Sequence, residues 1–338
     1  MRLVALLVLV ATPALADHLE TAVPAEVLAG NVLVWQDATL YSDTTDAAQQ
    51  LHIGAPGRHV GQVVPMHVLA SHGDFVEVEP GDDAECTTSR VETTDDVAHV
   101  RLFVKRADLA PVLTKPYAKE FDDGTRIALR PGMPVLAAAD GTIAVAIRGG
   151  EVTAEIPAAS IGHAYRLDKA KSKAISGHDL ALAANTPVTL GGRNLSLGAM
   201  LAAGVERKGA TTLFAIEDRC VALTVAAPSK AVKDSDDEDS AGVGAGSGMG
   251  VLDLRNEDYL PIGTALSAGG HQVAIAAKPI YLPGKPSGKT VCVDRRIRLV
   301  SAGEPGDVDD KLHLCAPSAK VVHERMRSAS SANGTTGR

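Results

Sequence analysis

Three Gly-Gly pairs, each set between runs in which apolar residues take every second position, most constrain how this 338-residue chain can fold. Ile143, Val145 and Ile147 precede Gly149-Gly150, and Val152, Ala154 and Ile156 follow it. Val188 and Leu190 lead into Gly191-Gly192, with Leu195 and Leu197 after it, and Gly269-Gly270 lies between Leu266 and the run Val273-Ala274-Ile275. A side-chain period of two buries one face of a strand, and a two-residue connection needs the positive φ that glycine adopts without steric cost. Each pair therefore predicts a β-hairpin. Similar lead-ins over 124–129 and 263–266 read as weak internal repeats of a small β-unit. The stretch 61–78 makes the same statement with another turn. Met66 and Val68 face one way and His67 the other. His72-Gly73-Asp74 turns the chain, and Val76 and Val78 return to the apolar side opposite Phe75 and Glu77.

The N-terminus speaks for export. Arg2, an apolar run over 3–11, Pro13 and Ala14-Leu15-Ala16 before Asp17 have the order of a secretory signal peptide cleaved near Ala16. The run is shorter than the roughly 20 residues that span a bilayer, so no membrane span is expected. Removing residues 1–16, whose only charged side chain is Arg2, would take the formal charge from −8 to −9. An acidic chain has no general attraction for nucleic acid or anionic lipid. The basic clusters at 166–173 and 295–298 are short and read as solvated faces.

At 338 residues two or three domains are expected, and 45% hydrophobic content, largely Ala and Val, suits cores of short strands. We expect β-domains over 17–113, 114–232 and 251–324. Between the last two, 233–250 turns acidic and then Gly-rich in the manner of a linker, and 325–338 reads as a disordered tail. Polar segments 42–61 and 80–96 read as long loops. Four cysteines in an exported chain make two disulfides by one of three pairings. Cys292 and Cys315 flank a turn-rich segment and form the preferred hairpin staple, which leaves Cys86 with Cys220, a closure worth about 2–5 kcal/mol. Free thiols or a metal site are the alternative. The absence of C-x-x-C spacing speaks against a zinc ribbon.

The turn followed by Asp74-Phe75-Val76-Glu77-Val78, and the closing run Leu102-Phe103-Val104 into Arg106-Ala107-Asp108-Leu109, resembles a bacterial SH3-like (SH3b) domain over about 31–113. The resemblance implies an all-β fold of tandem small SH3-like barrels. It also implies a ligand class, cell-wall glycan or peptide held by exposed aromatics, for which Trp35, Tyr41, Asp74 and Phe75 are the candidate binding residues. With aromatic residues only 3% of the chain, Trp35 competes for a second role in the barrel core.

Catalytic readings fare worse. Ser71-His72-Gly73-Asp74 is similar to the Ser-His-Gly-Cys signature of L,D-transpeptidases, yet Asp74 stands where the thiolate nucleophile belongs. His52, His59, His67 and His72 lie within 21 positions, and only the last two are expected to meet across a hairpin. The run 285–290 imitates a phosphate-binding loop but has Pro283 at the first glycine position and leads into a strand. We therefore expect no cofactor and no metal, and a non-catalytic binding or structural protein of the cell envelope, secreted or periplasmic. Its partner would be cell-wall glycan or peptide, or another envelope protein. The alternatives are an extracytoplasmic hydrolase or peptidoglycan-modifying enzyme with an unrecognised site, and a periplasmic scaffold.

Overall fold

Alternation along 61–78 yields the hairpin it predicts: β4 (Val63–His72) pairs antiparallel with β5 (Phe75–Pro80), and His72 lies opposite Phe75. The computed structural model describes residues 28–45, 48–52, 54, 62–81, 86–87, 89–137, 142–147, 150–166, 179–182, 186–196, 200–208, 211–218, 220–228, 232–234, 258–284, 288–301 and 304–323. The fold is all-β, and among those residues the only helical elements are three three-residue 3-10 turns.

Gly73 takes φ +59° while Asp74 stays at negative φ, so glycine occupies the one turn position that an L-side chain would strain. The Arg106 guanidinium donates from Nε to the Gly73 carbonyl at 2.7 Å and clamps the turn. The other two-residue turns form as well. Leu190 faces Arg193 across Gly191-Gly192, and Ala268 faces His271 across Gly269-Gly270, all four glycines at positive φ. Ile147 pairs with Gly150, so the second glycine of the third pair belongs to a strand.

β1 (Asn31–Trp35), β4, β5, β8 (Leu102–Lys105), β2 (Thr39–Tyr41) and β3 (Gln50–His52) follow one another in one antiparallel sheet. β3 lies inside the expected loop 42–61, where Leu51 is fully buried opposite Leu40. One apolar residue between polar neighbours is too short a signal to read as a strand. The expected loop 80–96 likewise contains β6 (Ser89–Thr93), with β7 (Val97–Ala98) directly after it.

These two strands overturn the expected independence of 251–324. β6 pairs with Thr290–Ser301, β7 pairs with His271–Ala276, and the resulting sheet runs from β6 through Thr290–Ser301, Glu304–Pro317, Ala265–Ala268 and His271–Ala276 to β7. Val34, Leu40, Val76 and Leu102 from the first region share one core with Leu266, Ile297 and Leu314 from the last. Both edges of the C-terminal strand set are thus covered by the N-terminal region, the usual remedy for exposed sheet edges. Ion pairs follow the seam: Asp96 with Arg295 at 2.7 Å and Glu92 with Arg298 at 2.9 Å, while the His271 imidazole lies 3.1 Å from the Asp43 carboxylate.

Between these halves of the chain the middle region builds its own sheet, from Tyr117–Glu120 through Arg126–Leu129, Val221–Pro228, Thr211–Asp218, Met200–Lys208 and Asp179–Leu182 to Val232–Asp234. Lys233 and Asp234, expected as linker, end that last strand; 235–250 and the tail 325–338 lie outside the described residues, as does the signal segment. The disulfides are Cys292–Cys315 and Cys86–Cys220, the latter joining the first region to the middle one. Trp35, Leu33, Val112, Leu136 and Tyr165 fill the contact between those two regions.

Candidate functional site

β5 is buried on one side by Val76 and Val78 and presents Phe75, Glu77 and Glu79 on the other. Three same-face positions at about 6.8 Å intervals make a row of about 14 Å. Sheet pairing sets further side chains beside it: Phe103 lies opposite Glu77 on β8, and Tyr41 lies opposite Phe103 on β2. Tyr41 and Phe75 meet edge to face at 5.4 Å, His72 and Phe103 at 5.5 Å, and the Lys105 ammonium sits 5.6 Å from the Tyr41 ring centre. All three aromatic residues are half-buried, so part of each ring remains in solvent. Along the row the character turns from aromatic to charged. Glu77 accepts from His72 at 3.1 Å and faces Arg101 at 3.8 Å, and Glu79 lies 3.8 Å from His99.

The row ends in a cleft of about 540 Å³ lined by Glu79, Arg90, Glu92 and His99 among others. His99 is the one non-glycine residue with positive φ among those described, at +51°. Histidine tolerates that region better than most side chains, but a backbone held there is paid for by surrounding structure and clusters at ligand sites. Glu92 is fixed by hydrogen bonds from Arg90 and Arg298, which hold its carboxyl below the ordinary glutamate value. A carboxylate depressed in the folded state contributes stability above its unfolded value and loses it as pH falls through the folded one. In Glu92→Gln the urea midpoint will therefore depend less on pH than in the parent, and the two curves will converge on the acid side of the carboxylate range. Parallel curves would show that the Arg pair contributes nothing at this seam.

The four candidate residues separate clearly. Tyr41 and Phe75 lie together on the row, and Asp74 sits exposed in the adjoining turn, where its carbonyl accepts from the Arg106 amide at 2.8 Å. Trp35 does not join them. It lies on the same face of the sheet but is 3% exposed, enclosed with Leu33, Val112 and Tyr165 where the first region meets the middle one, and so is not presented to a ligand. Phe103, His72, Arg101 and His99 belong to the row and were missed. Alternation in 102–105 marks Phe103 as facing away from Leu102 and Val104, but only sheet pairing sets it beside Tyr41 and Glu77. His67 and His72 both lie on β4 and do not face each other across the hairpin. His67 contacts the Asn31 side chain at 3.2 Å, His52 contacts Thr39 at 3.4 Å, and His59 lies outside the described residues.

A second cleft, of about 230 Å³, opens in the middle region between Tyr117, Phe121, Thr153 and Leu195. Burial raises the Tyr117 hydroxyl above the ordinary tyrosine value, and the Lys119–Glu155 pair at 3.1 Å crosses its rim. Among the described residues, one set of Cys and His side chains is close enough to share a metal: Cys292, Cys315 and His313. No family model matches this chain, and no similar protein emerged among curated proteins or solved structures. The geometry alone carries the functional argument. Among the described residues no helix is long and apolar enough to cross a membrane.

Proposed function

We propose that this chain is an exported, non-catalytic binding protein of the cell envelope that takes cell-wall glycan and its peptide along the β5 row. The observation that carries this reading is the continuity of the row: an aromatic shelf of Tyr41, Phe75 and Phe103 that passes without interruption into Glu77–Arg101 and the cleft at Glu79 and His99. Half-exposed aromatic rings stack on the apolar faces of sugar rings, and alternating acid and base suit the carboxylates and amines of a short peptide. Export is supported by the order of residues 1–17 and by the two disulfides.

The test is pelleting of the purified protein, residues 17–338, with washed peptidoglycan sacculi at low and high salt. Binding is expected to persist at high salt, because ring stacking is not screened whereas exposed ion pairs are. Phe75→Ala and Tyr41→Ala should each weaken it about tenfold, the equivalent of one lost stacking contact. Absence of pelleting at either salt concentration would dispose of the wall ligand and move the row to a protein partner.

A further inference from the structure

Cys292 and Cys315 are directly opposed on the strands Thr290–Ser301 and Glu304–Pro317, and two residues further along each strand the next opposed pair is Asp294 and His313. Residues two apart on a strand share a face, and directly opposed Cβ atoms lie about 4.5–5.5 Å apart. The pattern C-x-D on one strand and H-x-C on its partner therefore places two sulfurs, an imidazole and a carboxylate at the corners of one small square. The donor atoms of Cys292, Cys315 and His313 lie within 4.8 Å of one another, and the His313 Nδ1 to Asp294 Oδ1 distance is 2.7 Å. We infer that this square is a redox-gated site for a borderline-soft divalent cation of the zinc type, closed while the disulfide is intact and formed when a dithiol reduces it.

The chemistry balances with one named reductant. A thiolate of the dithiol attacks one cysteine sulfur, the S–S bond breaks, and the second thiol of the reagent resolves the mixed disulfide. Two electrons pass to Cys292 and Cys315, and the reagent leaves as its own disulfide. The cation then displaces one proton from each cysteine thiol and takes two thiolates and a neutral imidazole, a ligand set that suits zinc. Asp294 is the orienting partner. By accepting the Nδ1 proton it fixes the tautomer that leaves the other ring nitrogen free for the metal, the usual carboxylate–histidine arrangement. The same hydrogen bond is the main reason its carboxyl lies below the ordinary aspartate range.

Two further features fit a site and not a bare staple. Gln49, from the segment before β3, donates from its side-chain amide to the Lys311 carbonyl and accepts from the His313 amide at 3.0 Å, so the backbone bearing the imidazole is held from outside the hairpin. Cys292 and His313 are themselves exposed on the outer face of the hairpin, so the square is open to solvent. His313 and Asp294 are 59% and 56% exposed, so both can be replaced without opening the core. Three protein ligands leave the fourth tetrahedral position to water.

The test uses the full mature chain, reduced with a dithiol, freed of it by gel filtration without oxygen, and checked by mass spectrometry for free thiols at 292 and 315. Titration with Co(II) should give a thiolate-to-cobalt absorption in the near ultraviolet that saturates at one equivalent. The oxidised protein should give none. His313→Ala and Asp294→Asn should each weaken Co(II) binding about 10–100-fold. Verified reduced protein without the absorption overturns the inference. So does unchanged affinity in His313→Ala, or persistence of the band in the double variant Cys292→Ser, Cys315→Ser, which would place the metal at Cys86 and Cys220.

Discussion

Trp35→Ala will lower the free energy of unfolding by about 3–5 kcal/mol, the range for removing a large aromatic side chain from a closed core. The indole is 3% exposed and packs with Leu33, Val63, Ala110, Val112, Leu136 and Tyr165, where the first region meets the middle one. That contact has little freedom to collapse around a void. Tyr165 is seated against Gly132, where an added Cβ would come within 2.5 Å of the ring, and against Gly30, where one would come within 2.6 Å of the Tyr165 carbonyl oxygen. Urea unfolding measures the loss. Sacculus binding per folded molecule should remain at the parent level, because the indole is enclosed between the two regions and is not among the partly exposed rings of the row. A Trp35→Ala protein of parent stability that pellets poorly would reverse both assignments.

A chain cut once within 235–257 will remain a single particle on gel filtration, and Ile297→Asp will separate its halves. Ile297 is fully buried at the seam, on the strand that pairs with β6, and shares a core with Val34, Leu40 and Leu314. An unpaired carboxylate there loses hydration with no partner in return, and the loss in the uncut chain should exceed about 4 kcal/mol. Ile297→Ala should cost less, about 2–5 kcal/mol for cavity formation, and leave the cut halves together at high protein concentration. Spontaneous separation of the cut parent would mean that strand pairing across the seam is too weak to hold the two segments.

Much of the candidate row is written locally and its completion is not. Val76 and Val78 between Phe75, Glu77 and Glu79 are enough to say which residues of β5 face away from the core. Nothing in 75–79 says that Phe103 and Tyr41 come alongside, since those contacts depend on the order β5-β8-β2 in the sheet. Trp35 was open to two readings for a related reason. β1 reads Val32, Leu33, Val34, Trp35 without alternation, and such a run is the mark of a strand buried on both faces. Here Val32 and Val34 enter one core while Leu33 and Trp35 enter the other. C-x-x-C spacing does not reveal the Cys292–Asp294–His313–Cys315 square, because strand geometry sets same-face residues two apart and supplies the rest across the ladder.

By itself the sequence determined the elements that depend on neighbours along the chain: period-two strands, glycine turns with positive φ, and an all-β fold. Tertiary structure alone decided that β6, inside a segment that reads as loop, and β7, directly after it, cover the edges of a sheet contributed by residues about 180–210 positions away. A two-residue period names the face of a strand but never its partner, because any strand with the same alternation offers the same hydrogen-bonding groups. Partner and register are chosen only when the shared core closes. For this chain that choice joins its first region to its last, aligns the aromatic row with the charged cleft, and sets two cysteines beside a histidine and an aspartate.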